Sequence, residues 1–378
     1  MKYIYLDHAA TSPLRPEARD AMEPFGDVLY ANPSGSHKFA RDARRAVDEA
    51  RDMVAAAIGC KPGEVIFTSG GTEGANSAIL GTVRRRGGQA VCTASEHHAV
   101  LHCVEHVHGV VVPITSEGPV DPTVVRQVLA DTDNVSVVSV MAVNNETGAI
   151  NDIEQVSHAV RGRAEGAVLH TDAVQAACWI DLRTVWPHVD VLTLSAHKFG
   201  GPKGVGVMVV REGITLEPLL LGGGQERDRR SGTHNVAGIV GTAVALRVTD
   251  EQRNNEVVRI RALRDELIHG LTSRIACAVA TLPHGAGSAG TAHVCLEGLE
   301  SESLLYLLDT AGVCVSAASA CASGAMEPSH VLEAMGLPAA RIKGSLRFSL
   351  GHTTTQEDIY IAVESTVKAA ERLLAVKK

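Results

Sequence analysis

Between about Ser36 and Ile58 the apolar positions Phe39, Ala43, Ala46, Val47, Ala50, Val54, Ala57 and Ile58 recur at helical spacing with charges between them. That pattern predicts an amphipathic helix. Asn32-Pro33-Ser34-Gly35, just before it, is turn chemistry. From there to about residue 210 short apolar runs recur, each closed by a polar or glycine-rich loop: Val65-Ile66-Phe67, Ala90-Val91-Cys92, Val135 to Val143, Val168-Leu169, Asp190 to Leu194 and Val205 to Val210. Helical patterns separate most of these runs, which predicts an α/β fold with a mostly parallel sheet covered by helices on both faces. Beyond about residue 250 the texture changes. A charged helix from Glu251 to Leu271 leads to strand candidates Thr291–Leu296, Val313–Ser316 and Leu346–Leu350, interleaved with helices near Ser303–Leu308 and Gln356–Leu374. This part reads as a smaller α+β domain.

A length of 378 residues, with 45% hydrophobic and 21% charged, suits a globular chain of two domains. No run reaches the roughly 18 consecutive apolar residues of a membrane span. Asp7 and His8 stand where a signal peptide would continue apolar, so a cytoplasmic protein is expected. The formal net charge is −8, and Arg84-Arg85-Arg86 is too brief for a nucleic-acid footprint, so no direct nucleic-acid binding is expected. Eight cysteines occur with no Cys-x-x-Cys pair, which argues against a structural zinc site; no metal is expected.

In an open α/β sheet, ligands bind beyond the carboxyl ends of the strands, and the unusual residues gather there. Phe67-Thr68-Ser69-Gly70-Gly71-Thr72-Glu73 runs from a strand through a glycine-rich turn into a helix. Its backbone N–H groups and hydroxyl suit a phosphate, although an ordinary helix start has the same form. Four more strand ends carry Ser95-Glu96-His97-His98, Asn144-Asn145-Glu146-Thr147-Gly148, His170-Thr171-Asp172-Ala173-Val174-Gln175 and Ser195-Ala196-His197-Lys198-Phe199-Gly200-Gly201. A histidine, an asparagine, an aspartate and a lysine at successive strand ends can converge on one crevice. Lys198 follows an apolar strand and precedes Gly-Gly, so its surroundings are tight, and a buried lysine of lowered pKa is what Schiff-base chemistry needs. Pyridoxal phosphate unites these parts: a lysine for its aldehyde, an aspartate for its ring nitrogen, a phosphate cup and an aromatic ring to stack.

With these residues in view, the chain resembles the cysteine desulfurases of the class V aminotransferase group, nearly end to end. The resemblance rests on Tyr5-Leu6-Asp7-His8-Ala9-Ala10-Thr11, Thr68-Ser69-Gly70-Gly71-Thr72-Glu73, Glu96-His97-His98-Ala99-Val100, Val143-Asn144-Asn145-Glu146-Thr147-Gly148, Ser195-Ala196-His197-Lys198, Arg230-Ser231-Gly232-Thr233, Ser319-Ala320-Cys321-Ala322-Ser323 before Glu327-Pro328-Ser329, and Arg347-Phe348-Ser349-Leu350-Gly351. It implies the type I fold of pyridoxal-5'-phosphate-dependent transferases, with a large cofactor-binding domain over residues 14–250. A small domain of residues 1–13 and 251–378 would carry the catalytic cysteine loop. Lys198 would bind the cofactor and shuttle protons, and Asp172 would pair with the pyridine nitrogen. His97 would stack on the ring; its neighbour His98 competes on composition, and the Glu-His order favours His97. Asn145 and Gln175 would bond the phenolic oxygen, with Asn145 also facing the substrate, while Gly71, Thr72, Ser195 and His197 would hold the phosphate. Thr233 would reach the phosphate of the neighbouring subunit in a homodimer. Arg347 would fork the α-carboxylate of L-cysteine.

Cys321 lies among small residues with little to pack, which suits a mobile loop better than a buried structural thiol. The implied reaction converts L-cysteine to L-alanine and leaves the sulfur on Cys321 as a persulfide for a sulfur-acceptor protein. Iron–sulfur assembly, tRNA thiolation and DNA phosphorothioation are the acceptor pathways the resemblance offers. Rival readings are a selenocysteine lyase, another class V aminotransferase, and a catalytically silent sulfur-transfer scaffold. The loop resembles the long-loop group, but Ala317 and Ala318 stand where that group usually has Ser-Gly. Gln225 replaces a common histidine, and Lys377-Lys378 follow the last helix where relatives that dock an iron–sulfur scaffold carry a longer tail.

Overall fold

The computed structural model describes residues 3–317 and 328–376. Twelve strands appear among them: β1 (Ile4–Tyr5), β2 (Val65–Thr68), β3 (Gln89–Thr93), β4 (Val110–Val112), β5 (Val135–Ser139), β6 (Val168–Asp172), β7 (Val191–Ser195), β8 (Gly206–Val210), β9 (Ala278–Ala280), β10 (Thr291–Leu296), β11 (Val313–Cys314) and β12 (Ser345–Ser349). Seven form one sheet in the order β2-β8-β7-β6-β5-β3-β4. It is parallel except at β8, which runs antiparallel to both β2 and β7.

The central strands of this sheet are apolar at successive positions because both of their faces are covered, whereas edge strand β4 leaves Val111 exposed. Phe67, Val91, Val138, Leu169, Leu192, Val207 and Val209 face one core. Their neighbours Ile66, Ala90, Cys92, Val137, Val168, Val191, Met208 and Val210 face the other. The predicted amphipathic helix is Lys38–Ile58, ended by Gly59 at φ +81°, a left-handed cap that glycine adopts without a Cβ penalty.

A second core gathers Ile4, Leu6, Ile260, Leu263, Leu267, Leu271, Val294, Leu346, Phe348 and Ile359 around the antiparallel sheet β12-β10-β9. The first residues of the chain therefore pack with its last third. The boundary expected at 250/251 falls inside a single helix, Val236–Arg274, which starts well before the predicted Glu251. Its first half packs in the core of the large sheet through Ile239, Ala243 and Leu246. Its second half enters the second core from Ile260 onward. Among the described residues no helix is long and apolar enough to cross a membrane.

Candidate active site

The carboxyl ends of β2, β3, β5, β6 and β7 open on a cavity of about 460 Å³. Its walls include Asp7, Gly71, Thr72, His97, Met141, Asn145, Asp172, Val174, Gln175, Ser195, His197, Lys198 and Arg347. The structure thus brings together every predicted site residue except two. Thr233 lies in an exposed loop away from this cavity, and Cys321 lies outside the described residues.

The local reasons for this convergence differ from strand to strand. β2 ends at Thr68, and after Ser69 the N-cap Gly70 starts helix Gly71–Arg86; a Cβ on Gly71 would sit 2.7 Å from the Val174 side chain, so glycine allows the turn to close on β6's outgoing loop. Ser69 N–H is held by Glu73, whose carboxylate also takes the Arg230 guanidinium at 2.8 Å. That bond ties the loop carrying Thr233 to the glycine-rich turn. Gln225, in the same loop, accepts from the Gly232 N–H at 2.8 Å, which gives the substituted position a definite structural task.

β3 runs into helix His98–His106, and His97 is its N-cap: Nδ1 accepts from the Ala99 N–H at 3.1 Å. A ring nitrogen that accepts from a backbone N–H carries no proton, so neutral His97 bears its proton on Nε2. Desolvation, then the charge of Lys198, push its pKa down to about 4. His98 is turned instead toward His102 and His330, with ring centroids 4.7 and 4.4 Å away, and is not part of the cavity wall.

Asn144 and Asn145 divide their work. Asn144 Oδ1 accepts from the N–H groups of Glu146 and Thr147 and shapes the turn. Asn145 Oδ1, by contrast, is buried without a partner.

At the end of β6, Asp172 accepts from the Val174 N–H at 2.9 Å. Burial raises its pKa to about 6, against the favourable pull of that N–H and of Lys198. After β7, one 3-10 turn, Ala196–Lys198, sends Lys198 across the cavity to the carbonyls of Ala9 and Ala10 at 2.6 and 2.9 Å. Gln175 Nε2 donates to the same Ala9 carbonyl. Desolvation, followed by repulsion from Arg347, lowers the lysine pKa to about 8, while Asp172 and Asp7 oppose that shift. His197 is drawn down to about 4, first by desolvation and then by Lys198, with Nδ1 3.1 Å from Thr11 Oγ1.

Arg347 lies on β12, buried on both faces rather than in a strand with a solvent side. Nη2 donates to Asp7 Oδ1 at 2.9 Å and Nη1 to the Asn145 carbonyl at 2.9 Å, whereas Nε is buried with no partner.

Sequence reasoning missed two carboxyl groups here. Glu96 is fully buried below the cavity, where Oε1 accepts from the Met141 N–H at 2.6 Å and Oε2 has no partner. Burial, then the nearby Asp172, raise its pKa to about 8. Asp7 stands in the N-terminal motif, but nothing in its spacing points to Arg347, 340 residues away along the chain.

The donor set fits a planar pyridine ring with an aldehyde and a phosphate. A lysine of lowered pKa, a carboxylate near it, two cavity-facing histidines and an unsatisfied amide oxygen surround one space. Among the described residues no cluster of three histidine, cysteine or acidic side chains could hold a metal ion.

The family model described as aminotransferase class-V matches residues 4–361. The chain belongs to this family. Within it, the relatives are cysteine desulfurases, which are pyridoxal-phosphate enzymes. An IscS-like cysteine desulfurase of Mycobacterium tuberculosis is 41% identical over 97% of this chain and 96% of its own length. A solved NifS-like protein superposes with a TM-score of 0.91 at 31% identity, over 98% of this chain and all of its own. A structure described as SspA in complex with cysteine is 30% identical with a TM-score of 0.78, over 92% of this chain and 98% of that one. The expected type I transferase fold and membership among the cysteine desulfurases are both borne out.

Proposed function

We propose that this protein is a cysteine desulfurase that binds pyridoxal phosphate, converts L-cysteine to L-alanine and takes the sulfur onto Cys321 as a persulfide. The observation that carries the reading is the convergence of Lys198, Asp172, His97 and Arg347, from four separate elements, on one cavity. When bound, pyridoxal phosphate supplies the electron sink that acidifies the substrate's Cα–H and weakens its Cβ–S bond.

The chain's own residues do the rest. Gly71, Thr72, Ser195 and His197 hold the phosphate at the start of helix Gly71–Arg86, where backbone N–H groups favour an anion. The Asp172 carboxylate holds a proton on the ring nitrogen. His97 covers the ring face, and Asn145 and Gln175 bond the phenolic oxygen. Lys198 Nζ, with a pKa near 8, is poised to take the Cα proton close to neutral pH. Arg347, which lines the cavity, receives the α-carboxylate through guanidinium N–H donors not taken by Asp7 and Asn145. The Cys321 thiolate then attacks the substrate sulfur: the S–S bond forms, the Cβ–S bond breaks with its electron pair left on carbon, and a proton completes the methyl group of alanine. No external oxidant or reductant is required.

In the same reading the enzyme is a cytoplasmic homodimer in which Thr233 of one subunit serves the phosphate of the other. The large domain spans 14–250, the small domain comprises 1–13 and 251–378, and a sulfur-acceptor protein discharges Cys321.

The deciding experiment measures sulfide and alanine released from L-cysteine under reductant, for the wild type and Cys321→Ala. Equal yields of both products from the wild type, with almost none from a variant that keeps its yellow colour, are expected. An unimpaired variant, or a wild type that makes no alanine, would overturn the persulfide mechanism.

A further inference from the structure

Arg347 is 5% exposed, and a guanidinium so buried requires a compensating anion. Asp7 supplies it through Oδ1, 2.9 Å from Nη2. Among the described residues no other carboxylate forms an ion pair with Arg347. Asp7 is itself fixed: its backbone bridges to Ser349 of β12, and its carbonyl accepts from the Tyr5 hydroxyl and the Ala10 N–H, each at 3.0 Å.

Two consequences follow. The guanidinium plane is held at two points, Asp7 and the Asn145 carbonyl, which fixes its orientation while three of its five N–H donors keep no protein partner among the described residues. Asp7 also lines the cavity beside Arg347, so a second negative group on a ligand held by Arg347 faces the Asp7 carboxylate on the same wall.

We propose that Asp7 is a positioning and specificity residue, which fixes Arg347 for the substrate's α-carboxylate and makes the site selective for amino acids with a single negative charge. This rests on the reading that Arg347 receives that carboxylate. An acidic group on the β-carbon lies only two carbon atoms from the α-carboxylate, and the Asp7 carboxylate on the same cavity wall disfavours it.

The test is equilibrium binding to the holoenzyme of L-alanine and L-aspartate, which share a backbone and differ by one side-chain carboxylate. Calorimetric titration should show the alanine preference of the wild type falling about five- to tenfold in Asp7→Asn, while Asp7→Glu keeps it. Loss of a purely structural contact would weaken both ligands by the same factor and leave the ratio alone. Asp7→Ser, which also removes the charge, repeats the test should the amide variant fail to fold. An unchanged ratio in the charge-free variants overturns the inference. Alanine production from L-cysteine by the wild type, assayed alongside, separates the two readings: its absence defeats the proposed function, whereas turnover with an unchanged ratio defeats only the role of Asp7.

Discussion

Lys198 and Glu96 show how burial sets protonation in opposite directions within one site, lowering the amine to about 8 and raising the acid to about 8. For Glu96 the effect reaches stability. Its folded pKa lies above the ordinary 4.5, so the folded state keeps a proton that the unfolded chain has lost, and stability falls as pH rises through that window. Between about pH 6 and pH 8 the cost amounts to about 2–3 kcal/mol. Glu96→Gln, which cannot ionise, should remove that slope even if its amide lowers stability at both pH values. Urea unfolding of wild type and variant at the two pH values measures it, and parallel slopes would refute a neutral Glu96. Glu96 was illegible in the sequence because a glutamate between a strand and a helix is most often a solvated one. Lys198, Asp172 and His97 were legible because each ends an apolar run next to other chemistry-bearing residues.

At the level of elements, glycine positions explain both what could be read and what could not. The apolar runs at 65–67, 90–92 and 205–210 are strands within a residue or two, since period and burial agree there. The first half of helix Val236–Arg274 escaped notice because Gly238, Gly241 and several β-branched residues give it poor helical propensity. Tertiary contact overrides that propensity: a Cβ on Gly241 would lie 2.5 Å from the Met22 sulfur, so glycine is what lets this helix approach helix Pro16–Met22. Strand β4, which was missed, is the edge strand of the sheet, and its middle residue Val111 is exposed.

Gly206 of β8 poses a sharper case, since a Cβ there would lie 2.6 Å from the Gly70 carbonyl carbon, a backbone atom with little freedom to yield. Gly206→Ala should displace the turn before helix Gly71–Arg86. The expected outcome is at least about tenfold weaker binding of pyridoxal phosphate by the apoprotein, with a stability loss of about 1–3 kcal/mol. Titration of the apoprotein followed by absorbance tests this, and wild-type affinity in the variant would show that the turn does not hold the phosphate.

Across the whole molecule, the two cores meet at the cavity, and thiol chemistry is distributed unevenly around them. Of eight cysteines, seven lie among the described residues, and burial raises the pKa of every one. Cys60 is pushed to about 12 and both Cys103 and Cys178 to about 11, while Cys92, Cys277, Cys295 and Cys314 are shifted upward by the same cause. A thiol held protonated is a poor nucleophile and a poor sulfur acceptor, because the thiolate is the reacting species. Even Cys178, whose sulfur lies 3.7 Å from the Lys198 carbonyl, is therefore unsuited to compete for the substrate's sulfur despite its place beside the lysine. In the proposed reading Cys321 takes the sulfur, and the raised pKa of the other seven thiols makes each of them a weak competitor. Brief alkylation of the native holoenzyme near neutral pH should label Cys321 well before any other cysteine. After exposure to L-cysteine, peptide mass spectrometry should find the mass of one added sulfur atom on the Cys321 peptide alone. Sulfur on the Cys178 or Cys314 peptide in Cys321→Ala would mean that burial does not silence these thiols and that a second acceptor serves the cavity.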